Sequence, residues 1–334
     1  MKPRDQVIEE FLLKNGFGQA KLVKTIGDAS GRRYFRYGLN GKTIIIMDAP
    51  APYEEIGEFQ WKAEMFRSYG WRVPVIHAGD QALGLLMLED FGDQSFTHQL
   101  QQGAKLGDLF MLATEALIHL HRQPNEAAKK LPPYDDVRLA CEALWATEWY
   151  VPLVLPKPLG LTIREEYIDL WVKTFELARQ AGEHAIHRDF HVDNLMLLPN
   201  ETGIARCGML DFQDAVYGSI AYDLVSLLQD ARLDVPEDVV EACLQKYLSS
   251  LPKSKHEDFM MAYAILGAQR AAKILGNFTR LKVRDDKGYL LCHIPRVWGY
   301  IERNVKHPAL KDIKEWFDFH VPPEYRGLKG RLAA

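Results

Sequence analysis

The chain has 334 residues, of which 47% are hydrophobic and 26% charged, with a formal net charge of −4 at pH 7. That length and hydrophobic share exclude a disordered chain and leave room for two lobes, and the mildly acidic balance excludes the strongly basic face that nucleic-acid binding requires. Four isolated cysteines, Cys141, Cys207, Cys243 and Cys292, form no C-x-x-C pair, so a reducing compartment is expected, with the thiols as core filler.

Residues 1–16 carry Lys2, Arg4, Asp5, Glu9 and Glu10 within their only apolar stretch, which reads as neither a signal peptide nor a membrane span; the expected compartment is the cytoplasm. Val7, Ile8, Phe11 and Leu12 make one face of a short helix ended by Asn15-Gly16. Strands are expected over 22–26 and 32–39, and Asn40-Gly41 predicts a tight hairpin turn into a third strand over 43–47. The loop between the first two strands, Gly27, Asp28, Ala29, Ser30 and Gly31, is of a size and glycine content that lets backbone N–H groups approach phosphate oxygens. A helix over 54–69 is stopped by Gly70, and a strand begins at 73–76. A buried strand over 84–88 then runs into Glu89-Asp90-Phe91-Gly92, where a hinge between lobes is expected, with backbone groups of Met87, Leu88, Glu89 and Asp90 available to an adenine edge.

From residue 106 the pattern turns helical, with Ala113, Leu117 and Leu120 on one stripe and further helices over 136–150 and 162–181, separated by Leu155-Pro156-Lys157-Pro158. Helices are expected again over 222–230, 237–249, 256–275 and 289–304, with no internal repeat. The expected fold is α+β and bilobal: a small antiparallel-sheet lobe over 1–90 that binds a nucleotide, and a large helical lobe over 91–334 that carries catalysis and substrate.

The chemistry concentrates in a strand-loop-strand inset of the second lobe. His187-Arg188-Asp189 is followed by four residues and Asn194, and later by Asp211-Phe212-Gln213. Transfer of a γ-phosphoryl group needs a carboxylate to orient the acceptor hydroxyl and take its proton, plus oxygen ligands that hold Mg²⁺ across the phosphates. Asp189 fits the base, Asn194 and Asp211 the metal ligands, and His187 and Arg188 the positioning of the loop. Gln213 stands where protein kinases carry Gly, which leaves Asp211 usable and argues against a swinging activation loop. A competing pattern is the alternation of His184, His187, Asp189, His191 and Asp193, whose spacing suits a zinc- or iron-dependent hydrolase but leaves Asn194 and Asp211-Phe212 unexplained.

These segments, with Gly27-Asp28-Ala29-Ser30, Arg33-Tyr34-Phe35-Arg36, Met47-Asp48-Ala49-Pro50 and Leu88-Glu89-Asp90-Phe91-Gly92, resemble over nearly the whole chain the aminoglycoside phosphotransferase and choline kinase group of the protein-kinase-like fold. The stretch 222–232 and Gln269-Arg270 with Lys273-Ile274-Leu275-Gly276 resemble the cytoplasmic kinases that phosphorylate the anomeric hydroxyl of N-acetylmuramate and N-acetylglucosamine in cell-wall sugar recycling. The resemblance implies ATP and Mg²⁺ as cofactors and an amino sugar as substrate, with Asp189, Asp214 and Arg270 as candidate substrate contacts and no obligate protein or membrane partner. Another small alcohol such as an aminoglycoside, or a pseudokinase that binds nucleotide without turnover, are the alternatives.

Three further expectations follow. Only a short segment separates Gln213 from Asp223, too short for a peptide-binding activation segment, and Asp223 is expected to cap the helix it begins. The third strand ends in Met47, where kinases place the lysine that grips the phosphates, so Arg32 and Arg36 on one face of the second strand, or Arg33 on the other, are candidate replacements. Nine Lys and Arg against five Asp and Glu between His256 and Lys306 make that region basic, which suits an acidic sugar better than a polycationic antibiotic.

Overall fold

The computed structural model describes residues 3–27, 32–49 and 56–329, with Leu332. It divides into two compact units, Met1–Lys105 with Val192–Asp214, and Leu106–His191 with Ala215–Ala334.

The first unit opens on helix α1 (Arg4–Lys14), which Asn15 and a left-handed Gly16 (φ 83°) terminate. Strands β1 (Lys21–Ile26), β2 (Arg33–Leu39) and β3 (Lys42–Asp48) follow, then helix α2 (Ile56–Ser68) and strands β4 (Ile76–Asp80) and β5 (Leu85–Glu89). They form one antiparallel sheet in the order β1-β2-β3-β5-β4. Asn40 and Gly41 both adopt positive φ (50° and 77°), the two left-handed residues that a tight hairpin with right-twisted strands requires. Strand alternation buries Ile44, Ile46, Leu85 and Met87 against Ile8, Phe11 and Leu12 of α1. The strand expected to begin at 73–76 starts only at Ile76: Glu89 N–H donates to Val75 O, and the carboxylate of Glu89 accepts from Val75 N–H, so this stretch runs as an irregular lead-in. The unit is completed by helix α3 (Phe96–Gln101) and a later hairpin described below.

The second unit is mainly helical. Helices α4 (Leu106–His121), α5 (Asp136–Trp145), α6 (Val151–Val154) and α7 (Leu161–Ala178) precede strand β6 (Glu183–Ile186). The first unit then receives strands β7 (Leu195–Leu197) and β8 (Cys207–Met209), after which β9 (Val216–Ser219) returns to pair antiparallel with β6. Helices α8 (Tyr222–Leu228), α9 (Glu237–Leu248), α10 (His256–Asp285), α11 (Ile294–Asn304) and α12 (Lys311–His320) follow. Helix α10 outruns its expected end at residue 275 and continues to Asp285, because Gly276 is not a terminator. A Cβ there would lie 2.2 Å from the carbonyl carbon of Trp145, so the glycine exists to let α10 touch the backbone where α5 passes into the π-helical turn Ala146–Tyr150. Helix α12 was not foreseen; Ile313, Trp316 and Phe317 bury its apolar face. All four cysteines are free thiols; Cys207 and Cys243 fill core as expected, whereas Cys141 and Cys292 are exposed. Among the described residues no helix is long and apolar enough to cross a membrane.

Candidate active site

The face of the sheet opposite α1 lines a cavity of about 370 Å³ within the first unit. Register decides which side chains reach it. Tyr34 pairs with Met47 and Arg36 with Ile45, and Tyr34, Arg36, Ile45 and Leu88 all line the cavity. Arg33 falls on the other face, where it and Arg4 hold the fully buried Asp48. Arg36 is the one cation among the described residues that line the cavity, and its guanidinium is paired with Asp90 and Asp93, each at 2.7 Å. Arg32 is buried just before β2. Gly27 opens the loop at the cavity rim, and Asp28, Ala29, Ser30 and Gly31 lie outside the described residues. On the expected hinge, Leu88, Glu89 and Asp90 line the cavity, while the Met87 side chain points into the core beside Ile46. Glu89 is fixed by Arg72 at 2.7 Å.

Asn194 and Asp211 reach the same cavity from the hairpin β7–β8, whose register sets Leu195 opposite Met209. Leu210 N–H donates to Asn194 O at 2.9 Å, and the Asn194 amide approaches Asp211 Oδ2 at 3.4 Å. Asp211 has φ 60°, a left-handed conformation costly for a non-glycine residue, which is the kind of strain held at functional positions. Gln213 Nε2 donates to Asp211 Oδ1 at 2.5 Å, and Gln213 Oε1 is buried without a hydrogen-bond partner among the described residues. Two adjacent oxygen-bearing side chains beside an orphaned amide oxygen fit Mg²⁺, which takes one or two protein carboxylates and completes its octahedron with phosphates and water. Among the described residues no group of three or more His, Cys, Asp and Glu converges, so the hydrolase pattern of His184, His187, Asp189, His191 and Asp193 does not assemble as a metal cluster.

In the second unit the loop after β6 carries His187, Arg188 and Asp189. His187 is fully buried, and its backbone N–H donates to Asp223 Oδ2 at 2.6 Å; the Arg188 N–H donates to Asp223 Oδ1 at 3.0 Å. Arg188 has φ 74°. Its guanidinium donates to Glu142 at 2.7 Å and lies 5.6 Å over the Tyr134 ring. Glu142 also takes Lys273 at 3.1 Å and the Tyr134 hydroxyl, so one buried carboxylate on α5 gathers two cations under the loop. Burial opposes the charge of Asp189, but Lys273, His191, Arg188 and Arg270 outweigh it and hold its carboxyl below the usual range, so Asp189 is ionised at neutral pH. Burial instead pushes Asp223 up to about 6, against the pull of His187 and of the two N–H groups. Arg270 is buried, with one N–H 3.4 Å from Gln229 O, whereas Asp214 belongs to the first unit and is exposed.

Residues 23–263 match the phosphotransferase enzyme family. The chain belongs to that family. It is 32% identical to the N-acetylmuramate/N-acetylglucosamine kinase of Caulobacter vibrioides, an alignment covering 97% of this chain and 98% of the relative. The enzyme of the same name from Pseudomonas aeruginosa is 35% identical, with 93% of each chain covered. A crystal structure of a putative aminoglycoside phosphotransferase from Ralstonia eutropha superposes with a TM-score of 0.63 over 92% of this chain and 98% of the other at 12% identity, which establishes the bilobal kinase-like α+β fold. The chain is a small-molecule phosphotransferase with a hydroxyl acceptor.

Within this phosphotransferase two expectations change. Asp223 does not cap its own helix: Ala221 occupies the N-cap of α8 without a side-chain bond, and the carboxylate is spent on the His187 and Arg188 N–H groups. The basic stretch is not one continuous face, since Lys282, Arg296 and Arg303 are paired with Asp286, Asp234 and Glu237 at the surface while Arg270 is buried and the part-buried Lys273 is paired with Glu142. Glu142 and Tyr134 were missed altogether. An acid within a helical window reads as solvent-facing, and only the fold brings α5, α10 and the loop together.

Proposed function

We propose that this phosphotransferase uses ATP and Mg²⁺ to phosphorylate the anomeric hydroxyl of N-acetylmuramate or N-acetylglucosamine, a reaction suited to cell-wall sugar recycling. The observation that carries this reading is the pair of relatives bearing that name, each aligned over more than nine tenths of both chains. The charge near Asp189 supports it: Lys273, Arg188 and Arg270 all act on its carboxylate, which favours an acceptor bearing a lactyl acid over a polycationic antibiotic. The functional division proposed is a nucleotide-binding lobe over 1–90 and a catalytic and substrate lobe over 91–334.

In this reading the rim at Gly27 and the following loop, with Tyr34 and Arg36, receive the nucleotide, and Leu88 to Asp90 face its base. Asn194 and Asp211 would hold Mg²⁺, which when bound would supply positive charge to the phosphates. Asp189 accepts a hydrogen bond from the acceptor hydroxyl, aims its oxygen and takes its proton as the bond to the γ-phosphorus forms and the bond from that phosphorus to the departing ADP breaks. Arg188 and His187 keep the loop in place, and Arg270 with Asp214 are the candidate substrate contacts.

A coupled assay across amino sugars, aminoglycosides and choline with ATP and Mg²⁺ tests the acceptor, and phosphorus NMR of the product tests the position. A sugar 1-phosphate is the expected product. Phosphate on C6, or turnover of kanamycin-type antibiotics with none of amino sugars, overturns the reading of the acceptor while leaving phosphoryl transfer intact.

A further inference from the structure

Lys62 of α2 is buried to 3% exposure, an expensive place for an ammonium group. Its Nζ donates to the backbone carbonyl of Gln213 at 2.5 Å, and its other described ionic partner, Glu58 one turn earlier at 3.2 Å, is largely exposed. Gln213 in turn donates its side-chain amide to Asp211 Oδ1 at 2.5 Å. Helix α2 grips the same tripeptide through its aromatic residues: the Phe59 and Phe66 rings lie 4.8 and 6.0 Å from the ring of Phe212. Meanwhile Met47 on β3, buried opposite Tyr34 and Leu86, offers no cation at all.

We propose that Lys62 is a positioning residue for the metal-binding segment: it fixes Gln213, and Gln213 fixes the Asp211 carboxylate. The inference rests on the reading of Asp211 as a metal ligand. The physical reason is local. Asp211 is held at φ 60°, and the peptide that follows turns its carbonyl into the protein, where a charged donor satisfies it more strongly than a neutral one. Without the ammonium, the Gln213 carbonyl is buried unsatisfied, the 211–213 turn relaxes, and the amide leaves the Asp211 oxygen. Groups that orient a metal-binding carboxylate typically change metal affinity by about 10–100-fold when removed.

The test compares wild type with Lys62→Met, Lys62→Arg, Gln213→Met and Asp211→Ala, measuring binding of ADP with and without Mg²⁺ by calorimetry, the Mg²⁺ concentration for half-maximal turnover, kcat, and thermal unfolding. Lys62→Met is expected to raise the Mg²⁺ half-saturation by about tenfold or more and to lower kcat, with metal-free ADP affinity within about twofold of wild type. Lys62→Arg restores part of the loss, and Gln213→Met reproduces it without touching the lysine. Lys62→Met with Mg²⁺ half-saturation and kcat within twofold of wild type overturns the proposal; should that variant fail to fold, Gln213→Met with unchanged Mg²⁺ dependence does the same. Asp211→Ala serves separately: if it leaves Mg²⁺ dependence intact, the ligand reading of Asp211 fails, whatever Lys62 does.

Discussion

Asp223 accepts the backbone N–H of Arg188 at 3.0 Å, and Arg188 is held there with φ 74°. A carboxylate on the first turn of α8 thus fixes the backbone immediately before Asp189. Positive φ at a non-glycine residue costs on the order of 1–3 kcal/mol, so the loop keeps this shape only while its surroundings enforce it.

Turnover should therefore depend on the charge of Asp223. Its carboxyl is raised to about 6 by burial, while Asp189 is held below the usual range by its cations, so acidification protonates Asp223 first. At saturating substrates kcat should fall as pH drops through about 6, and Asp223→Asn should show a low kcat without that limb. For stability the sign is opposite: a folded value above the unfolded one makes the neutral carboxyl's contribution complete below about pH 4 and lost as pH rises through about 6. A wild-type kcat profile flat from pH 5 to 7 would refute the functional half of this.

Asp189→Asn keeps the size of the side chain and removes the base. Turnover should drop by ~10² or more, with ADP affinity unchanged. Near-wild-type turnover would remove Asp189 from the mechanism.

The two arginines of β2 should separate cleanly. Arg36 lines the cavity, so Arg36→Ala should raise the KM for ATP; Arg33 lies on the opposite face with Asp48, so Arg33→Ala should leave that KM alone and lower the unfolding temperature by weakening the hold on a buried carboxylate. Equal effects of both substitutions on the KM would contradict the observed register.

Gly276→Ala places a methyl group where the Trp145 carbonyl already lies, at 2.2 Å. Overpacking of this kind typically costs about 1–3 kcal/mol, and more where the neighbour is backbone. Denaturant unfolding should show a loss in that range; an unchanged midpoint would mean that α10 and the π-helical turn can separate freely.

The sequence by itself determined the class of reaction, phosphoryl transfer. His187, Asp189, Asn194 and Asp211 are the residues proposed for it because reaction roles demand particular side chains at short spacings, and the family match over 23–263 supports phosphoryl transfer itself. The small sheet was legible too, since alternation and Asn40-Gly41 are local signals. Tertiary structure decided the rest. Which β2 arginine reaches the cavity depends on a one-residue choice of face, and no local pattern fixes it when both faces carry Arg. Whether Gly276 ends a helix or lets two segments touch depends on Trp145, 131 positions away in the chain. Glu142 and Lys62 read as ordinary helix residues and Asp223 as a cap, because the groups they actually hold, the Arg188 guanidinium, the Gln213 carbonyl and the N–H of Arg188, are brought to them only by the packing of distant segments.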